Sequence, residues 1–264
     1  MFDVVIVGGG PAGLSAALVL GRCRRRVLVC DDGRPRNAQA QAVHNFLTRE
    51  GTPPDEMLRI ARAQLRPFDV EIRRGPVRTA APRAGGFEVR MGDGRRVRTR
   101  KLLLATGIKD VCPDIAAIAR FIGRGVYYCS YCDGYTVRDR PLAALGSGVD
   151  GADLALALTT WSKEVVLCTN GAARPTRKTC ERLARYGIPV RSERILRVEG
   201  RQHLEWIVLG RERLRCEGLF IQNGCVPRSD LAAQLGCAFT RRGAVTTRKG
   251  QRTTVDSVFV AGDA

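Results

Sequence analysis

Two glycine-rich turns, each set between an apolar run and a helical stretch, constrain this chain more than any other feature. They are Gly8-Gly9-Gly10-Pro11-Ala12-Gly13 and Gly146-Ser147-Gly148-Val149-Asp150-Gly151, and both satisfy GxGxxG. Val4 to Val7 and Leu142 to Leu145, just ahead of the turns, are continuous apolar runs, as expected of strands covered on both faces. Leu14 to Leu20 and residues 152–161 then read as helices, and Val27 to Cys30 and Val165 to Leu167 as the next strands. In such a βαβ unit the first glycine permits the tight turn. The second lets backbone N–H groups approach a pyrophosphate, and the third lets helix and strand pack closely. The helix N-terminus adds a favourable partial positive charge.

The two units are not equivalent. Pro11 suits the first helical turn, where its missing N–H costs nothing. Asp31 follows Gly13 by 18 residues, the place of an acid that hydrogen-bonds a ribose hydroxyl. Gly8, Gly10, Pro11, Ala12, Gly13 and Asp31 therefore form a strong dinucleotide signature. Gly146, Gly148 and Gly151 form a weaker one, because Cys168-Thr169-Asn170-Gly171 stands where the acid is expected. Arg174, Arg177 and Lys178 are the cations nearby that a phosphate could use, and they read better as solvated helix charges. A retained structural turn is the other reading of the second motif.

Between the two turns lies Cys129-Ser130-Tyr131-Cys132-Asp133-Gly134. Two cysteines at this spacing close a small reversible disulfide that exchanges with other thiols. The same spacing supplies half a zinc site, which needs two further ligands. The chain has no second CxxC, and its only histidines are His44 and His203. A redox pair is the better reading, with no metal; an inert buried pair is the other alternative. Asp133 is placed to handle the proton that each thiol loses or gains; capping the following turn is its alternative role. Most of the remaining cysteines read as buried small hydrophobes, Cys30 and Cys168 each ending a strand.

Composition narrows the class further. With 264 residues, 44 % apolar and 27 % charged, the chain is built like a globular protein. No apolar run approaches the ~18 residues that span a bilayer. The N-terminus enters a strand at once, without a basic leader, which reads as cytoplasmic. The net charge of +18 comes from 44 basic residues, of which only five are lysines. The arginines are spread along the whole chain and aromatics are 6 %, which fits a solvated basic surface better than a nucleic-acid stripe. Such a surface attracts acidic partner proteins.

Elsewhere, residues 53–66 read as a helix, and Val70 to Ile72, Phe87 to Arg90 and Val97 to Thr99 as short strands. Leu102 to Leu104 is a buried strand closing on Ala105-Thr106-Gly107, and Val258 to Val260 one closing on Ala261-Gly262-Asp263.

The order of motifs resembles the thioredoxin-reductase-like flavoproteins over nearly the whole chain: GxGxxG with Asp31, then ATG at 105–107, CxxCDG at 129–134, a second GxGxxG at 146–151, and AGDA at 261–264. The resemblance implies an α/β fold of two Rossmann-like three-layer domains, an FAD domain with an NAD(P)-type domain inserted into it. The expected division is 1–111 for the first FAD segment, 112–238 for the inserted domain carrying the disulfide, and 239–264 for the return segment. That return segment reads as cut short, since family members continue into a further helix.

By the same resemblance, Gly8, Gly10 and Gly13 cradle the FAD pyrophosphate and Asp31 holds the adenosine ribose. Thr106, Gly107, Gly262 and Asp263 line the cofactor, and Asn37 touches its adenosine side. Cys132 faces the flavin, Cys129 attacks the external substrate, and Asp133 is the acid/base. His44 reads as a packed or surface histidine, with a flavin-facing place as the alternative. Two departures stand out. Typical reductases carry a His-Arg-Arg run for the 2′-phosphate of NADPH where this chain has Thr169-Asn170-Gly171. The middle of the tetrad, Ser130-Tyr131, is bulkier than usual and resembles the branch of dithiol oxidases.

The expected activity is an FAD-dependent thiol–disulfide oxidoreductase with NAD(P)H as donor. It would act as a homodimer on a small thioredoxin-like protein or a small-molecule dithiol. An oxygen-using dithiol oxidase and a non-catalytic nucleotide-binding fragment are the alternatives.

Overall fold

The structure is a computed structural model that describes residues 1–173 and 175–264. In chain order the elements begin β1 (Phe2–Val7), α1 (Pro11–Arg22), β2 (Val27–Asp31), α2 (Pro54–Leu65), β3 (Val70–Arg74), β4 (Val77–Arg83), β5 (Gly86–Met91), β6 (Arg96–Leu104) and β7 (Ile108–Asp110). They continue β8 (Val126–Tyr127), α3 (Ser130–Asp133), β9 (Leu142–Leu145), α4 (Gly148–Leu158), β10 (Val165–Cys168), α5 (Arg177–Arg185), β11 (Val190–Arg191), β12 (Ile195–Glu199), β13 (Trp206–Leu209), β14 (Glu212–Arg215) and β15 (Gly218–Ile221). The last are β16 (Cys225–Pro227), α6 (Leu231–Gln234) and β17 (Val258–Val260).

The chain divides into two compact units. Unit 1 comprises 1–38, 54–109 and 225–264; unit 2 comprises 39–53 and 110–224. The chain leaves unit 1 along β7 and returns along β16, and these two strands pair. The larger segment of unit 2, 110–224, is thus an insertion between adjacent strands.

In unit 1, β3, β2, β1, β6 and β17 form a parallel sheet, each strand paired to the next. β6 is long enough to serve two sheets. Its second half lies between β1 and β17, while its first half closes an antiparallel meander with β5 and β4. The sequence suggested two separate short strands there; polar Arg98, Arg100 and Lys101 interrupt the apolar run without interrupting the strand. One core collects Val5, Val7, Leu28, Cys30, Leu102, Leu104, Val258 and Val260 with Phe87 and Val89 of β5 and Leu231 and Leu235.

In unit 2, β11, β10, β9, β15 and β8 form a parallel sheet in that order. Alternate residues point to opposite faces of a strand. Ala143, Leu145, Val166, Cys168, Leu219 and Ile221 pack with Ile195, Val198, Ile207 and Leu209 of the β12–β13–β14 meander. Leu142, Ala144, Val165, Leu167 and Phe220 pack with Ala152, Ala155 and Leu158 of α4 and Leu183 of α5. Helices, parallel sheet and meander make the three layers of a Rossmann-like domain. The meander had no sequence signal beyond short runs such as Trp206 to Leu209.

The units divide at 109/110 and 224/225, in place of the boundaries after 111 and 238 read from the sequence. The return is earlier because Arg228 N donates to Gly107 O at 3.1 Å and α6 buries Leu231 and Ala232 in the unit 1 core. Residues 39–53 join unit 2 because the backbone at Gln39 passes directly over Gly123. A Cβ on Gly123 would lie 2.1 Å from Gln39 O.

Phe220 is fully buried between the sheet and the helices of unit 2, 5.3 Å from the ring of Tyr127. Phe220→Ala is expected to cost about 3–5 kcal/mol, measured as a lowered urea midpoint for unit 2.

Candidate functional site: a nucleotide cleft and a redox disulfide

The first glycine turn opens a cleft of about 680 Å³ within unit 1. Gly8, Gly10, Pro11, Ala12, Asp31, Asn37, Thr106, Gly107, Gly262 and Asp263 all line it. Gly13 does not; it lies beneath, where a Cβ would fall 1.9 Å from Gly8 O. The third glycine therefore serves helix–strand packing, while Gly10, with no atom within 4 Å of its absent Cβ, leaves room for a ligand. Gly9 has its own constraint. A Cβ there would meet the Asp31 carboxyl at 2.6 Å, so the glycine lets the acid lie against the turn.

Asp31 accepts from Gly33 N at 3.1 Å and from Arg62 Nη2 at 2.9 Å. Arg36 pairs with Asp263 at 3.1 Å, and Arg34, Arg36, Arg78 and Arg228 line the same cleft. Sequence reading missed this cationic rim. Arg36 stands beside Asn37, but Arg62, Arg78 and Arg228 come from α2, β4 and the return segment, with no local pattern to join them. Backbone N–H groups, a helix N-terminus, one ribose-ready carboxylate and surrounding arginines suit a dianionic dinucleotide such as FAD.

Unit 2 carries the second feature. β8 runs into Cys129, and α3 begins with Ser130. Cys129 and Cys132 are joined by a disulfide. Cys132 N donates to Cys129 Sγ at 3.1 Å, so a backbone donor already addresses the sulfur that would carry charge on reduction. Cys129 is half-buried and Cys132 exposed. Tyr131, between them in sequence, is exposed and meets Trp161 edge-on at 5.6 Å. Trp161 also covers Gly134, where a Cβ would lie 2.6 Å from the indole; this accounts for the glycine after Asp133.

Asp133 makes no capping hydrogen bond to the following turn. Burial pushes its carboxyl up to about 6, and the nearby His44 imidazole acts in the opposite direction. A carboxyl that changes state near neutral pH, next to a disulfide, is suited to proton transfer. Of the eight free cysteines, four are buried and three exposed. Burial holds Cys30 and Cys168 up to about 12, so they stay protonated and inert. The expectation that most cysteines are buried holds for only half of them, because Cys23, Cys112 and Cys225 fall on loops or edges.

The second glycine turn has the pyrophosphate end of a nucleotide site but not the ribose end. Gly151 packs on Gly146, where a Cβ would lie 2.5 Å from the carbonyl carbon, and Gly148 is open on its free side. Beyond β10, Thr169 is buried and Asn170 Oδ1 accepts from Ile195 N at 2.8 Å. Arg177 pairs with Glu181, Arg182 with Asp153, and Arg191 with both Glu193 and Glu212. Arg174 lies outside the described residues.

The family described as pyridine nucleotide-disulphide oxidoreductase matches residues 2–264. The chain belongs to this family. A thioredoxin reductase of Treponema pallidum is 30 % identical over 275 residues, covering 99 % of this chain and 88 % of that protein. Thioredoxin reductase tcpT of Claviceps purpurea is 38 % identical over 178 residues, covering 64 % of this chain and 56 % of that protein. The crystal structure of HlmI superposes with a TM-score of 0.94 at 34 % identity, covering 99 % of this chain and 84 % of that one. The chain spans about half the length of several curated relatives it matches. The fold is that of the thioredoxin reductases, as the resemblance implied.

The sign of the Asp133 shift gives a stability test. A folded-state value raised from 3.8 to about 6 contributes stability that is present below the unfolded value and lost as pH rises through the folded one. Asp133→Asn removes that loss. The variant is expected to melt higher than the parent at pH 8, by about 2–4 °C for a gain of roughly 1 kcal/mol after allowance for partial exposure. The difference should close toward pH 4, as measured by thermal unfolding.

Proposed function

We propose that this protein is an FAD-dependent thiol–disulfide oxidoreductase of the thioredoxin-reductase type. The observation that carries it is the Cys129–Cys132 disulfide beside an Asp133 carboxyl raised to about 6, in a chain that also holds an arginine-rimmed dinucleotide cleft. Gly8, Gly10, Pro11, Ala12 and the start of α1 would hold the pyrophosphate of FAD, and Asp31 its ribose. Asn37, Thr106, Gly107, Gly262 and Asp263 would line the remainder. When bound, FAD supplies two-electron redox chemistry.

The chain's own residues handle sulfur and protons. Cys129 exchanges with an external thiol or disulfide, and Cys132 is the sulfur that exchanges electrons with the cofactor. Asp133 takes or gives the proton. A small thioredoxin-like protein or a small-molecule dithiol is the proposed substrate, and a homodimer in the cytoplasm the proposed setting. NAD(P)H is the proposed donor, with Gly146, Gly148 and Gly151 as its pyrophosphate turn.

A second reading has a specific observation behind it. Asn170 is tied to Ile195 where a ribose carboxylate would stand, and Arg177, Arg182 and Arg191 are each neutralised by a glutamate or aspartate. This favours entry of electrons from a dithiol, with oxygen as the final acceptor, over entry from NADPH.

Anaerobic mixing of the flavin-loaded protein with NADPH, NADH or dithiothreitol separates the two. Fast bleaching by a nicotinamide supports the reductase, and bleaching by dithiothreitol alone the oxidase. Cys132→Ser is expected to lower thiol turnover by at least about 100-fold; an unchanged rate would sink both readings.

A further inference from the structure

Residues 39–53 lie far from the redox turn in sequence, yet they fold into the same unit. The segment is tightly wound. Val43 N donates to Thr52 O at 2.8 Å and Gly51 N to Val43 O at 2.9 Å, closing a ten-residue loop. Asn45 and Thr48 adopt left-handed conformations, with φ of 60° and 71°. Non-glycine residues hold that conformation only where the surroundings fix it. Here the fixing contact is to the redox turn: Asn45 Nδ2 donates to Tyr131 O at 2.7 Å, on the carbonyl between the two cysteines.

The loop presents two titratable groups. Glu50 Oε1 lies 2.6 Å from His44 Nδ1, and Glu50 Oε2 accepts from Asn45 N at 2.7 Å. One carboxylate thus braces both the imidazole and the backbone next to it. A hydrogen bond at one ring nitrogen sets the tautomer, so the proton on Nδ1 is held by Glu50 and Nε2 is left as the atom that exchanges. His44 is mostly covered, while Glu50 is 65 % exposed and reaches solvent.

We propose that His44, held by Glu50, is a positioning and proton-passing partner of Asp133, linking the redox disulfide to solvent. This rests on the thiol–disulfide reading above and extends it. The charged groups around Asp133 are consistent with the assignment. Among the described residues, the charge of His44 favours the ionised form of its carboxyl against burial. Tyr127, from β8, is a further titratable neighbour; its hydroxyl is pushed up by burial and by Asp133, and so stays protonated.

The step balances. One thiol of a dithiol, its proton already lost to water, attacks Cys129 Sγ; the S–S bond breaks and its electron pair leaves on Cys132 Sγ. The second substrate thiol gives its proton to Asp133 as its sulfur attacks the mixed disulfide, and Cys129 Sγ leaves as a thiolate. The substrate is oxidised to a disulfide, and the cysteine pair takes up two electrons. Asp133 passes its proton to His44, and from there it reaches solvent beside Glu50. Disulfide reduction runs the same path backwards.

The test uses the full-length protein and dithiothreitol. Reduction of Cys129–Cys132 is followed by rapid alkylation and mass analysis from pH 5 to 9, with rates expressed per dithiothreitol thiolate. The parent rate should fall as Asp133 becomes protonated, around pH 6. In His44→Gln the acidic limb should move to higher pH, with a loss of roughly tenfold at pH 6 that closes by pH 8. Glu50→Gln, an exposed change, should move it the same way by less. Asp133→Asn should flatten the limb and make His44→Gln silent. A His44→Gln profile that superimposes on the parent, or an Asp133→Asn limb unchanged from the parent, overturns the relay. A disulfide that dithiothreitol does not reduce overturns the underlying functional reading instead.

Discussion

The structure depends on backbone passing within touching distance of backbone at two glycine turns. At Gly13 a single added carbon would sit 1.9 Å from Gly8 O, and at Gly151 it would sit 2.5 Å from the Gly146 carbonyl carbon. These contacts seat α1 on β1 and α4 on β9, and so aim each helix N-terminus at the space above its sheet. The cleft in unit 1, the arginines around it and the order of strands beside it all follow from that seating. Unit 2 repeats the device, then diverges at the end of β10, where Asn170 spends its side chain on the backbone of Ile195.

The redox turn depends on a different balance. Cys129, Cys132 and Asp133 stand where β8 ends against Trp161 and the 39–53 loop. Partial burial raises the Asp133 carboxyl, and His44 restrains that rise. In the proposed exchange, too little burial would leave a permanently ionised acid unable to return a proton at neutral pH, and too much a permanently neutral one unable to accept it. The loop that brings His44 is held by its own backbone hydrogen bonds, by the Glu50 carboxylate and by the Asn45 side chain on Tyr131 O.

Much of this was legible in the sequence where the signal is local. Gly8 to Gly13 with Asp31, the CxxC tetrad, and the apolar runs of β1, β2, β9 and β10 each lie within one stretch of chain and obey a fixed spacing. What escaped was non-local. The β12–β14 meander contains short strands with arginines and glutamates facing solvent, so its alternation is weak. Residues 39–53 show no period at all; their place in unit 2 is decided by Gly123 and Tyr131, roughly eighty residues away. Asp133 had two readings from sequence, turn cap or acid/base, and its lack of a capping hydrogen bond removes the first. The arginines of the cleft come from three separate segments, and no one of them carries a pattern.

The central claim is that the flavin and the Cys129–Cys132 disulfide form one electron-transfer system in this chain. An anaerobic titration of the flavin-loaded protein with dithionite, counting reducing equivalents per flavin, tests it most directly. The account predicts that the parent takes up two electron pairs per flavin, one held by the flavin and one by the cysteines, and that Cys129→Ser takes up one. A parent that is fully reduced by a single pair, with the cysteines still joined, would contradict it.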